Sequence, residues 1–207
     1  MSSVATAKLI TDRGFRSVRT AASQSFEQRL LDKLERSGFV VAMNGTEHTH
    51  SDFVGQLHQS TDQTSLAIRF QPDAVAHIGA VPRSFYVEAK AAKNIERTAY
   101  EQYMKLYTNG NVVVVVFEKL DWHWNFIEDI KLVDGNETVG RFPPDKQFPV
   151  DGAGWITPRK CERWHNIKTH NPQASGTPYR EIAVASLLQW RDFKDRIIQR
   201  LAEREIA

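Results

Sequence analysis

The chain has 207 residues, 41% of them apolar and 25% charged, an ordinary balance for one globular domain with room for an appended subdomain. Its longest apolar run, Val112–Phe117, falls far short of the ~20 residues that cross a bilayer. A single cysteine, Cys161, excludes an internal disulfide framework and fits a reducing, cytoplasmic compartment. The formal net charge is only +2, so a nucleic-acid partner has to be argued from where the charges lie.

Residues 1–23 show neither a cap signal nor periodicity. They carry Lys8, Arg13, Arg16 and Arg19 against Asp12 alone, a composition that suits a transit peptide or a basic N-terminal arm. The first helix is expected from Ser25, where Ser25 and Gln28 form a capping box. Phe26, Leu30 and Leu34 give it an apolar stripe, and Ser37-Gly38 ends it. Glu27 falls in its first turn, where a carboxylate interacts favourably with the helix dipole. Phe39–Met43 reads as a short strand, followed by an Asn44-Gly45 turn and the polar stretch Thr46–Ser65. That stretch holds Glu47, His48, His50, Asp52 and His58, but a His-x-His pair without partner spacing reads as a loop rather than a metal site. Such loops carry DNA contacts or substrate choice.

The stretch from Ser65 to Lys90 organises the rest. Two strands are expected, Ser65–Phe70 and Ser84–Ala92, separated by a turn region at Gly79 and Pro82. The first leads into Pro72-Asp73, and the second carries Glu88-Ala89-Lys90. Because strand side chains alternate, Tyr86, Glu88 and Lys90 point one way and Phe85, Val87 and Ala89 the other. Two carboxylates and an amine then converge at one edge of a sheet, which suits a metal ion with a cation beside it. The competing structural reading is that Asp73 caps a turn and that Glu88 and Lys90 form a surface ion pair.

Asn94 reads as the N-cap of a helix over Ile95–Thr108, closed by Asn109-Gly110, with Ile95, Ala99, Tyr103 and Leu106 as its buried stripe. Five valines and a phenylalanine, Val112–Phe117, read as a central strand buried on both faces. Residues 118–138 are acidic, and Trp122, Trp124 and Phe126 alternate as in one further strand. Asp134-Gly135-Asn136 reads as a turn, and Phe142–Pro149 as irregular. Residues 152–180 are basic, with Arg159, Lys160, Arg163, Lys168 and Arg180 against Glu162, a distribution that would present a basic surface to a polyanion. Cys161, His165 and His170 lack the second ligand pair of a structural zinc site, and His165-Asn166 lacks the spacing of a ββα metal finger. A terminal amphipathic helix is expected from Arg180 to Arg204, with Leu187, Trp190, Phe193, Ile197 and Leu201 on one face.

Pro72-Asp73 followed by Glu88-Ala89-Lys90, on two adjacent strands between an upstream helix and a downstream helix and buried strand, resembles the PD-(D/E)xK nuclease superfamily. The resemblance implies a restriction-endonuclease-like α/β fold with an αβββαβ core and a mixed central sheet over residues 24–117. Residues 118–207 would be a C-terminal extension packed on that core. It implies a magnesium-dependent deoxyribonuclease, an endonuclease in which Asp73 and Glu88 hold Mg2+ or Mn2+ and Lys90 positions the attacking water. The Ala89 carbonyl and Glu27 would be further metal contacts, and Lys93 and Gln102 would lie near the phosphate. Gln102 is followed at the fourth position by Leu106, not by the tyrosine of the Q-x-x-x-Y branch, so that branch is not assigned. DNA is the implied partner, a homodimer is expected because each chain carries one motif, and the absence of a phosphate-binding glycine loop implies no nucleotide cofactor. The alternative is a non-catalytic DNA-binding or assembly module on the same fold.

Overall fold

A run of five valines needs apolar cover on both sides, and residues 112–117 are all buried. They lead through β5 (Val113–Lys119), an inner strand of a six-stranded sheet, in a computed structural model that describes residues 26–44, 64, 67–68, 70–79, 81–90, 92–119, 121–157 and 178–206. Before it come α1 (26–36), β1 (Val40–Met43), β2 (Ala74–His77), β3 (Ser84–Lys90), β4 (Asn94–Glu96) and α2 (Arg97–Thr108). After it come β6 (Asp121–Phe126), α3 (Gly135–Val139), β7 (Tyr179–Glu181), β8 (Leu188–Gln189) and α4 (Phe193–Ile206). No helix among the described residues is long and apolar enough to cross a membrane.

The sheet runs β1-β2-β3-β5-β6-β8, and its pairings are antiparallel except that of β3 with β5, which are parallel and joined by the crossover through α2. β4 and β7 form a separate two-stranded ladder. The fold is therefore α/β with a mixed central sheet, and α1-β1-β2-β3-α2-β5 is the αβββαβ order expected. Period two divides the core. Val114 and Val116 join Phe85, Val87, Leu34 and Phe193 under α1 and α4. Val113, Val115 and Phe117 join Ile95, Ala99 and Tyr103 under α2. The parallel register sets Tyr86, Glu88 and Lys90 beside Val113, Val115 and Phe117, so those three side chains lie on the α2 face.

Several elements differ from the sequence expectation. Residues 64, 67 and 68 are helical and Phe70 sits in a turn, so the described residues of Ser65–Phe70 form no strand. That stretch has one β-branched residue, Ile68, among good helix formers. The strand comes after Pro72-Asp73, where the small Ala74 and Ala76 fit beneath the aromatic layer. Asn94 does not cap a helix. Asn94–Glu96 pairs with β7, α2 starts at Arg97, and the amide of Arg97 donates to Pro178 O at 2.8 Å, so tertiary pairing does the work of the cap. Asp134 caps the short helix α3 by accepting from the Asn136 amide, where a turn was expected. The terminal helix starts at Phe193, because residues 179–192 are taken up by β7, β8 and single 3-10 turns. Gly38 and Gly110 do end α1 and α2, with φ of 90° and 88°. The Ser25 cap and the loop through His48, His50 and His58 lie outside the described residues.

The apolar stripe of the terminal helix and the Trp122–Phe126 strand are the surfaces that an expected homodimer could share, and both are occupied within the chain. Phe193, Ile197 and Leu201 are buried in the core, Trp190 stacks on Phe193 at 4.3 Å, and Trp122 stacks on Phe26 at 5.6 Å. Ile197→Ala should therefore lower the unfolding free energy in urea by about 2–5 kcal/mol without changing the sedimenting mass. A variant of unchanged stability that loses a dimer would place Ile197 in an interface instead.

Candidate active site

Strand pairing places the site before any side chain is considered. β2 pairs with β3 so that Ala74 faces Val87, and Asp73 and Glu88 are the next residues beyond that pair on their two segments. The β1–β2 ladder also continues by a residue, with the Asn44 amide donating to Asp73 O at 2.9 Å. Asp73 precedes β2 in the chain yet is held from both neighbouring strands. Its Oδ2 accepts the Ala89 amide at 2.7 Å, which turns the carboxylate towards β3.

Glu88 is 5% exposed, and a buried carboxylate needs partners. Lys90, two residues on and so on the same face, places Nζ 2.5 Å from Glu88 Oε1. Tyr103, buried on α2 in the cluster that includes Val115, lies within electrostatic reach of Glu88 as well. The charge of Glu27, in the first turn of α1, acts on Asp73, and that of Glu96, at the start of α2, acts on Lys90 and Tyr103.

These surroundings resist ionisation of Asp73. Burial first, then the charge of Glu88, push its carboxyl well above the ordinary carboxylate range, with Glu27 adding to the rise against Lys90 and the Ala89 amide. Burial alone would push the Lys90 ammonium down, but the charges of Glu88 and Asp73 outweigh it and leave Lys90 above its ordinary value, hence protonated. Burial and the same two carboxylates hold the Tyr103 hydroxyl in its neutral, donating form.

Two adjacent, mutually repelling carboxylates with hard oxygens fit a divalent cation such as Mg2+ or Mn2+, which would relieve the repulsion. Among the described residues no group of three His, Cys, Asp or Glu side chains is gathered to hold a metal. Protein ligation through Asp73 and Glu88 would leave the remaining positions to backbone oxygen and water, which Mg2+ tolerates well.

Of the other residues expected at the site, Lys93 pairs with Glu181 at 2.8 Å. Gln102 is half-buried on α2 beside Tyr103 and makes no side-chain hydrogen bond among the described residues. Arg159, Lys160, Arg163 and Lys168 lie outside the described residues, as do Cys161, His165 and His170. Arg180, from the same basic stretch, is committed to structure, donating to Val133 O and Leu132 O at 2.9 and 3.0 Å. Sequence reasoning missed the polar use of Tyr103 and the nearness of Glu96. The available signal was a hydroxyl within an otherwise hydrocarbon stripe, because a buried tyrosine normally has a hydrogen-bond partner. Surface clefts of about 420 and 360 Å3 are lined by other residues, and neither includes Asp73, Glu88 or Lys90.

Because the folded value of Asp73 lies above its unfolded one, this carboxyl contributes stability in acid, and the contribution is lost as pH rises from the ordinary carboxylate range through the folded value. Asp73→Asn keeps an oxygen for the Ala89 amide and removes the charge. In chelator at neutral pH it should raise Tm by on the order of a few degrees, and the gap should close towards pH 4. Calorimetry across that range checks it, and a lower Tm for Asp73→Asn at every pH would contradict it.

No family model matches the chain, and no curated protein matches it. Nine chains among solved structures do. One of them is Hjc, a Holliday junction resolvase from the archaeal hyperthermophile Archaeoglobus fulgidus. It is 15% identical over 53% of this chain and 76% of its own, with a TM-score of 0.35.

Proposed function

We propose that the chain is a metal-dependent deoxyribonuclease that hydrolyses phosphodiester bonds within DNA. The observation that carries this reading is the Ala89 amide holding Asp73 Oδ2 at 2.7 Å, which brings Asp73 under the charge of Glu88, with Lys90 on the same face and paired with Glu88. In this reading Asp73 and Glu88 hold Mg2+ or Mn2+, with the Ala89 carbonyl and Glu27 as the further contacts implied by the PD-(D/E)xK resemblance. The bound ion neutralises charge developing on the phosphoryl group and helps activate water.

The chain's own residues supply the rest. Lys90 enters as an ammonium whose Nζ orients the attacking water and whose charge favours its deprotonated form. Its side chain is 21% exposed, open enough for water to reach it and shielded enough for its charge to act strongly. Lys93, Gln102, Arg159, Lys160, Arg163 and Lys168 are the proposed phosphate contacts. Cleavage of both strands would need two copies of the site, hence a homodimer or two successive nicks.

One observation favours a second reading, a DNA-binding or assembly module without catalysis. The Glu88–Lys90 pair is also what a purely structural strand end would build. Incubation with supercoiled, linear, single-stranded and four-way-junction DNA, each with magnesium or with chelator, separates the two. Magnesium-dependent cleavage supports the nuclease, and binding without cleavage in any arm supports the module.

If the nuclease reading holds, Asp73→Ala and Glu88→Ala should each abolish cleavage while leaving DNA binding largely intact, and near-wild-type cleavage by either would sink the site. Lys90→Ala should lose about 10²–10⁴-fold in rate. Normal cleavage with a lower Tm would make Lys90 a structural partner only. Replacing Arg159, Lys160 and Arg163 by alanine should weaken binding to all sequences and reduce the salt slope by about one per lost contact. An unchanged slope would place the DNA elsewhere.

A further inference from the structure

We propose that Tyr103 is a positioning residue for this site, holding the Glu88 carboxylate in the orientation that lets it take a divalent cation together with Asp73. The proposal rests on the metal-site reading above and adds a residue that the motif does not contain.

Glu88 has more lone pairs than Lys90 can satisfy. An ionised carboxylate offers about four acceptor sites, and Lys90 Nζ approaches only Oε1. Lys90 is also a poor instrument for fixing orientation. Its ammonium rides on a flexible four-carbon stem, leaving from the same strand two residues away. Tyr103 differs on each count. It is 2% exposed, and its ring is packed with Ile95, Ala99, Val113 and Val115 beneath α2. The phenol has only two side-chain torsions, so a packed ring brings its hydroxyl to a fixed point. It also comes from a different element, so it can triangulate a group that Lys90 holds from one side.

The topology explains why the hydroxyl falls there. α2 is the crossover between the parallel strands β3 and β5, and their register puts Glu88 beside Val115. Tyr103 is buried in the same cluster as Val115, which places its ring on the face of that ladder step and its hydroxyl within reach of Glu88. The neighbouring stripe positions, Ile95 and Ala99, are hydrocarbon. Packing at position 103 asks only for a ring, and in this proposal the oxygen serves Glu88. A neutral donor has a further advantage over a second lysine, because it orients the carboxylate without adding charge that would repel an arriving cation.

Tyr103→Phe removes that oxygen and keeps the ring. Isothermal titration of Mn2+ into the metal-free full-length protein should show affinity weakened by about tenfold, the scale usual for loss of a group that orients a metal ligand. The Mn2+ concentration for half-maximal DNA cleavage should rise by the same factor, with the rate at saturating Mn2+ within about threefold of wild type. A lower Tm with unchanged Mn2+ affinity would make Tyr103 purely structural and overturn the proposal alone. Failure of the wild-type protein to bind Mn2+ at all would overturn it together with the nuclease reading, so the two failures are told apart. Should the variant melt below the assay temperature, the titrations of both proteins are run in trimethylamine N-oxide, which favours the compact state.

Discussion

The register of the β2–β3 ladder is the constraint on which the rest of the molecule depends. Side chains alternate along a strand, so a slip of one residue would send Glu88 and Lys90 into the apolar layer beneath α1 and α4 and turn Val87 and Ala89 towards α2. What prevents the slip lies on the face away from the chemistry. Phe85 meets Phe39 at 5.4 Å and Phe193 at 6.2 Å, and this aromatic cluster leaves room on β2 only for Ala74 and Ala76. Their neighbours Val75 and His77 are half-buried on the other face, and His77 Nδ1 lies 3.3 Å from Arg83 O. Shifted by one, β2 would drive a valine and a histidine into the space two alanines fill. Close packing on one face thus fixes the positions of charged groups on the other.

The charges themselves are poorly arranged for stability alone. Asp73 and Glu88 flank the ammonium of Lys90, with Glu96 acting on it and Glu27 on Asp73 at longer range. Burying like charges together opposes folding, and an apolar substitution at such a place is often neutral or stabilising. The sheet around them follows the opposite rule, with fully buried valines on both faces of β5. Local conflict set in a scaffold that is otherwise consistent is where catalytic and binding groups concentrate, which is why the proposed reading is built on these residues. The valine-rich centre makes the conflict bearable by holding β3 rigidly on its other edge.

Much of the scaffold was legible in the sequence because its signals were local or strongly periodic. The Val112–Phe117 run, the glycine stops at Gly38 and Gly110, and the Leu30–Leu34 stripe each depend on a few neighbouring residues, and each is where it was expected. The pairing of Asp73 with Glu88 was legible as a motif, but the strand carrying the first half was misplaced. Ala74-Val75-Ala76-His77 has weak strand propensity and becomes a strand through the aromatic layer above it, which no local window contains. The same holds for Asn94, where a good cap residue is overruled by pairing with a strand about 85 residues away. Residues 180–192 were read as helix because apolar residues spaced for a helix also satisfy short strands and single turns. The link between Tyr103 and Glu88 was the least legible, because it depends on how a crossover helix is phased over two strands.

That phasing is set from the far end of the chain, so the second half of the sequence is more than cover for the first. β7 pairs with β4 just before α2, the Ile182 amide donates to Lys93 O at 2.7 Å, and the Arg97 amide donates to Pro178 O. Lys93 and Arg141 both meet the Glu181 carboxylate, at 2.8 and 3.1 Å. Together these contacts fix the segment between Lys90 and the first turn of α2. A helix advances 100° per residue, so starting α2 one residue earlier or later would swing Tyr103 out of the buried stripe and away from Glu88. Residues 178–182 pair with Asn94–Glu96 and not with β3, yet they determine which face of α2 meets the sheet. The strand register places one half of the site and this distant clamp places the other.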